Sequence, residues 1–92
     1  DIVIKEAEII DAIPEQKVLD MNIYPNPVSA NLKIETQQGA SIYLLDLSGK
    51  ILLRKTVVNS SETIDLSEFM RGVYIIRAET NDKQATKKII KL

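Results

Sequence analysis

The chain has 92 residues, 45% of them apolar and 27% charged, with a formal net charge of −1; that is an ordinary globular composition with room for one domain and one modest core. It contains no cysteine and no histidine, which excludes disulfides, zinc held by its usual ligands, the commonest catalytic base and the thiol nucleophile. No apolar run reaches the roughly 18 residues of a membrane-spanning helix. No basic n-region with an apolar h-region opens the sequence, so an export address is expected outside this stretch or within the fold.

Charge is unevenly spread. Residues 1–20 carry Asp1, Glu6, Glu8, Asp11, Glu15 and Asp20 against Lys5 and Lys17, a net −4. Residues 71–92 carry Arg71, Arg77, Lys83, Lys87, Lys88 and Lys91 against Glu79 and Asp82, a net +4. Solvated strand faces explain such a split as readily as separate roles for the two ends.

In chain order, residues 1–19 mix isoleucines (Ile2, Ile4, Ile9, Ile10, Ile13) with acids and a polar Pro14-Glu15-Gln16-Lys17 breaker. The isoleucines suit a strand or the end of a preceding domain and the breaker a polar linker, so residues 1–19 read as a linker or the end of a preceding domain. A short apolar run, Met21–Tyr24, is stopped by Pro25 and Pro27. Proline cannot donate to a ladder, so the chain must leave the sheet or lie on its edge here, and Asn26 before Pro27 is pushed toward extended geometry; Tyr24-Pro25-Asn26-Pro27 is a rigid, extended corner. Residues 31–36 alternate, with Leu32 and Ile34 on one face and Lys33 and Glu35 on the other, the pattern of a half-buried strand. Gln37-Gln38-Gly39 is a turn. Residues 41–47 form a more apolar, more central strand, and Asp46-Leu47-Ser48-Gly49-Lys50 connects it to a partner over 51–58, with Gly49 free to take positive φ. Residues 61–66 alternate again. Residues 67–72 form a turn or a single 3₁₀ turn crossing between sheets. Residues 73–80 and 83–92 are two strands joined at Asn81-Asp82. Turn signals at intervals of roughly 8–12 residues, without a helical apolar stripe, predict an all-β fold, an Ig-like antiparallel β-sandwich of six to seven short strands.

Catalytic and ligand-binding patterns are sparse. Asp46 and Asp65 stand at a turn and a strand end, and Ser48-Gly49-Lys50 flanks a hairpin, so neither a carboxylate pair nor a serine–lysine dyad is expected to do chemistry. No calcium loop is found, and Gly39, Gly49 and Gly72 lie too far apart for a phosphate loop. Phe69 and three tyrosines, not interleaved with a basic patch, argue against nucleic-acid binding. No cofactor is expected.

Three segments taken together resemble a known family. They are Tyr24-Pro25-Asn26-Pro27 followed by Val28, Asn31 and Leu32; Tyr43 to Lys50; and Gly72-Val73-Tyr74-Ile75-Ile76 with the closing Lys87-Lys88-Ile89-Ile90-Lys91-Leu92. In this order and spacing, over about residues 20–92, they resemble the C-terminal sorting domain of the type IX secretion system of Bacteroidota. The resemblance implies a β-sandwich at the end of a secreted cargo protein. The cargo passes through the periplasm and is directed through the outer-membrane translocon with its shuttle proteins, to reach the cell surface or the medium. A sortase-like cysteine peptidase commonly removes the domain and joins the cargo to an anionic lipopolysaccharide, although some members keep it. The domain is then a substrate and not an enzyme. Residues 20–92 are expected to be the sorting domain and 1–19 the linker that holds any cleavage site.

The recognition residues expected on this reading are Tyr24, Pro25, Asn26, Pro27, Gly49, Gly72, Tyr74, Lys87, Lys88, Ile89, Lys91 and Leu92. Gly49 and Gly72 also suit backbone demands alone, and Tyr74 suits a half-buried strand position. In the last strand Lys87, Ile89 and Lys91 share one face and Lys88, Ile90 and Leu92 the other. Lysines on both faces predict an edge strand, which repels random pairing and can also admit one partner by strand addition. The alternatives are an accessory β-sandwich for adhesion or carbohydrate binding, for which the sequence offers few aromatics, and a structural spacer.

Overall fold

Alternating apolar residues and turn-forming breaks build two stacked sheets in the computed structural model, which describes residues 17–92. The strands are β1 (Lys17–Val18), β2 (Asn22–Tyr24), β3 (Asn31–Glu35), β4 (Ser41–Leu45), β5 (Ile51–Thr56), β6 (Ser61–Asp65), β7 (Gly72–Glu79) and β8 (Lys83–Lys91). The larger sheet has five strands in the order β1-β8-β7-β4-β5, and the smaller has three in the order β2-β3-β6. All pairs are antiparallel except β1 with β8. The chain thus passes back and forth between the sheets, as the all-β sandwich expectation requires. The strand beyond the expected seven is β1. The readings of Ile2 to Gln16 lie outside the described residues.

The inner faces follow the period of two. Leu32 and Ile34 of β3 and Ile64 of β6 meet Ile42 and Leu44 of β4, Ile76 and Ala78 of β7, and Ile89 of β8, all of them buried. Val28, Val57 and Leu66, just outside strands, close the ends of this core. Burying such an aliphatic side chain contributes about 1.5–3 kcal/mol, so these residues decide the fold.

Strand ends fall where local chemistry stops the ladder. The β4–β5 hairpin turns on Asp46: its carboxylate accepts from Ser48 N at 2.9 Å, Ser48 Oγ at 2.6 Å and Lys50 N at 3.0 Å. Gly49 takes φ +90° there, a value that costs a side-chain-bearing residue strain. β4 stops at Leu45, two residues earlier than its apolar run, because Asp46 captures the backbone. Residues 67–71 cross between the sheets as plain turns, with Phe69 N donating to Leu66 O at 2.9 Å.

Candidate recognition surface

The Pro-Asn-Pro corner and the last strand stand more than sixty residues apart in sequence, and the fold brings them together. After β2 the chain turns at Pro25 and runs beside the outer edge of β8. Asn26 Nδ2 donates to Lys88 O at 3.1 Å, and Ile90 N donates to Asn26 Oδ1 at 3.0 Å. A side-chain amide offers one donor and one acceptor in nearly the same array as a peptide group, so Asn26 acts as an added rung of the ladder. Val28 continues it with true backbone bonds: Val28 N donates to Ile90 O and Leu92 N to Val28 O, both at 2.8 Å. Pro25 and Pro27 have no N–H, so the corner carries few donors that need partners.

At its other end β8 is covered by the start of the described chain. Lys17 N donates to Asp82 O at 3.2 Å and Leu19 N to Gln84 O at 3.0 Å, and Leu19 is buried. β8 is therefore the penultimate strand of its sheet and not a free edge: β1 flanks its first residues and Asn26–Val28 its last. Only about Ala85 to Lys87 lies between these covers with no strand beside it among the described residues.

The expected recognition residues divide by face. Ile89 is fully buried, and Lys91, on the same inner face, is 7% exposed with Nζ donating to Leu92 O at 2.8 Å. Its aliphatic stem fills the sandwich end while its ammonium reaches a carbonyl, the snorkelling expected of lysine. Lys87, Lys88, Ile90 and Leu92 are exposed. Tyr24 is partly exposed on the outside of the smaller sheet, with Lys33 Nζ 6.0 Å above its ring. Tyr74 is half-buried: its OH donates to Met70 O at 2.6 Å, and its ring meets Phe69 edge-on with centroids 6.1 Å apart. It pins the crossing loop to β7. Gly72 opens β7 opposite Lys91. Thus Asn26, Pro27 and the end of β8 form one surface, Tyr74 and Gly72 support it from β7, and Gly49 stands apart at the β4–β5 turn.

Ser48 Oγ hydrogen-bonds Asp46. The carboxylates of Asp46, Asp65 and Glu62 are held below their usual range, by the Ser48 hydroxyl, by Ser67 and by the Val58 amide respectively. Each is thereby kept an ionised acceptor that orders a turn. Among the described residues no cluster of three or more acidic side chains is placed to hold a metal.

A family model described as a secretion system C-terminal sorting domain matches residues 22–92. The chain belongs to that family. The match begins at β2 and takes in the corner, the hairpin turn and β8, the segments on which the resemblance rests. The sorting domain is a signal for export by the type IX system of Bacteroidota, across the outer membrane toward the cell surface or the medium, and the family is one of non-catalytic domains that interact with that machinery. A search of curated proteins returns no match.

One surface feature escapes sequence reading. Tyr43 lies on the outer face of the larger sheet between Arg54, 5.8 Å from its ring centroid, and Arg77, at 5.0 Å. The three are cross-strand neighbours on β5, β4 and β7. The signal was present in the strand alternation, but aligning them needs the register of three strands.

Proposed function

We propose that residues 20–92 act as the sorting unit, that cargo fused ahead of it passes through the periplasm, and that the surface made by Tyr24–Pro27 and Lys87–Leu92 engages the translocon and its shuttle proteins. The observation that carries this reading is the pairing of Asn26 and Val28 with the last residues of β8. It makes one folded epitope from segments at opposite ends of the domain, so machinery reading that epitope exports only a completed fold. Exposed Lys87 and Lys88 supply charge beside it, and charge at a rim steers encounter. Processing by a sortase-like cysteine peptidase acting on the domain or within residues 1–19, with attachment of the cargo to the surface, completes the proposal. It is supported by the acidic, proline-containing character of that stretch.

The test is a fusion of the whole 92-residue chain to the C-terminus of a reporter carrying its own export signal, in a host with a working type IX system. Surface labelling is expected for the fusion and strongly reduced labelling for a folded Lys87→Glu/Lys88→Glu double variant. A folded wild-type fusion that stays in the periplasm overturns the reading. Equal delivery of both proteins removes Lys87 and Lys88 from the recognition surface.

A further inference from the structure

We propose that the open edge of β5 accepts an extended, acidic segment of a partner protein as an additional strand of the larger sheet. The edges of this sandwich are unequally protected. β1 and β2 are two and three residues long, too short to template much pairing. β6 is guarded by Lys55, whose Nζ takes the Thr63 carbonyl at 2.9 Å and pairs with Glu62 at 3.4 Å. The last residues of β8 are closed by Asn26 and Val28. β5 is six residues long, ends its sheet, and has no side chain bonded to its backbone among the described residues. The bond from Val57 N to Ala40 O sets the alternation. Lys55 therefore bonds toward β4, and Arg54 and Thr56 present their N–H and C=O groups outward.

Side chains beside that edge specify what fits. On the outer face Arg54 ends the row Arg54–Tyr43–Arg77. No carboxylate lies within ion-pair distance of Arg54 among the described residues, and Arg77 has only Glu79, at 3.9 Å. Arg77 Nε is buried and lacks a hydrogen-bond partner. Two guanidiniums over one ring gain from its π-face but repel each other, and among the described residues only the Arg77 end of the row has a carboxylate beside it, leaving the Arg54 end without one. Three residues back along the same strand, Ile51 is 50% exposed in the row of Leu45 and Ile75. An added strand would extend both rows: a carboxylate next to Arg54 and an apolar side chain next to Ile51. Main-chain bonds supply affinity in such strand addition, and alternate side chains supply specificity. Where the sorting machinery is the partner, this surface is separate from the β8 surface proposed above.

The test titrates the isotope-labelled full chain with a capped octapeptide repeating Thr-Glu-Thr-Val, and with a counterpart in which lysine replaces glutamate, up to millimolar concentration. The acidic peptide is expected to perturb the amides of Leu52, Arg54 and Thr56 and to slow their exchange, and the lysine peptide to bind at least about tenfold more weakly. Arg54→Glu, with unchanged thermal unfolding, reverses that preference. Thr56→Pro removes an outward donor and abolishes binding; should it not fold, the amide map of the wild-type chain decides alone. No perturbation, equal binding of the two peptides, or shifts centred on Thr86 and Lys88 overturn the inference. If β5 is unperturbed while the reporter fusion still reaches the surface, the sorting reading stands and this inference falls.

Discussion

Asn26 is worth more to this fold than an exposed asparagine ordinarily is. Its amide makes two hydrogen bonds to the backbone of β8, at 3.1 and 3.0 Å, and each such bond contributes about 0.5–1.5 kcal/mol net. Asn26→Ala is therefore expected to cost about 1–2 kcal/mol in urea unfolding. Asn26→Asp is expected to be as costly at neutral pH, because a carboxylate replaces the donor that faces the Lys88 carbonyl. Asp46 gives a second test. Its carboxyl is held below the usual aspartate range, first by the Ser48 hydroxyl and then by the Lys50 and Ser48 amides. A depressed folded pKa means stability that is present above the unfolded value and lost as pH falls through the folded one. The gap in melting temperature between the wild type and Asp46→Asn should thus hold at neutral pH and close in acid below the ordinary aspartate range. A gap that stays constant through and below that range would show that the charge is irrelevant. At this scale the sequence was partly readable. The turn role of Asp46 and Gly49 follows from local residue chemistry, whereas the partner of Asn26 is sixty-odd residues away and leaves no local trace.

β8 shows the same limit one level up. The alternation that makes Ile89 inward and Lys88, Ile90 and Leu92 outward is legible in the sequence, and the burial agrees. Lysines on both faces suggested a free edge. The strand instead has cover at both ends, and Lys91 is tolerated inside because its Nζ escapes to the Leu92 carbonyl. Edge status depends on which segment docks beside a strand, and two residues of β1 and one asparagine are too little signal to announce that. Hydrogen exchange separates the covered and uncovered parts. The Ile90 and Leu92 amides, bonded to Asn26 Oδ1 and Val28 O, should exchange slowly, and the outward Thr86 amide quickly. In Asn26→Ala the Ile90 amide should accelerate while that of Ile89, directed at β7, stays protected. Equal acceleration of both would mean that the corner holds the whole hairpin rather than its outer edge.

For the molecule as a whole, the last strand is both part of the proposed signal and part of the core, and the two roles must be separated by the choice of variant. Removing residues 87–92 takes away Ile89, which is fully buried; the loss of one such aliphatic side chain costs about 2–5 kcal/mol. It also removes the ladder partners of Gly72, Val73, Tyr74, Ile75 and Ile76 on β7, and the groups that Asn26 and Val28 bond. A domain of this length stands about 5–10 kcal/mol above its unfolded state, so these losses together consume its stability. The truncated chain is expected to show no dispersed amide spectrum and no cooperative melt, and its failure to be exported would say nothing about recognition. Lys87→Glu/Lys88→Glu changes two exposed side chains and leaves Ile89, Lys91 and every backbone bond in place. Surface substitutions of that kind shift stability by about 0.5 kcal/mol or less. A cooperative melt in the double variant, with none in the truncated chain, makes the charge reversal the informative probe of the export surface. A truncated chain that still melts cooperatively would place the stability of the sandwich in β2–β7 and free β8 to act as a detachable tail.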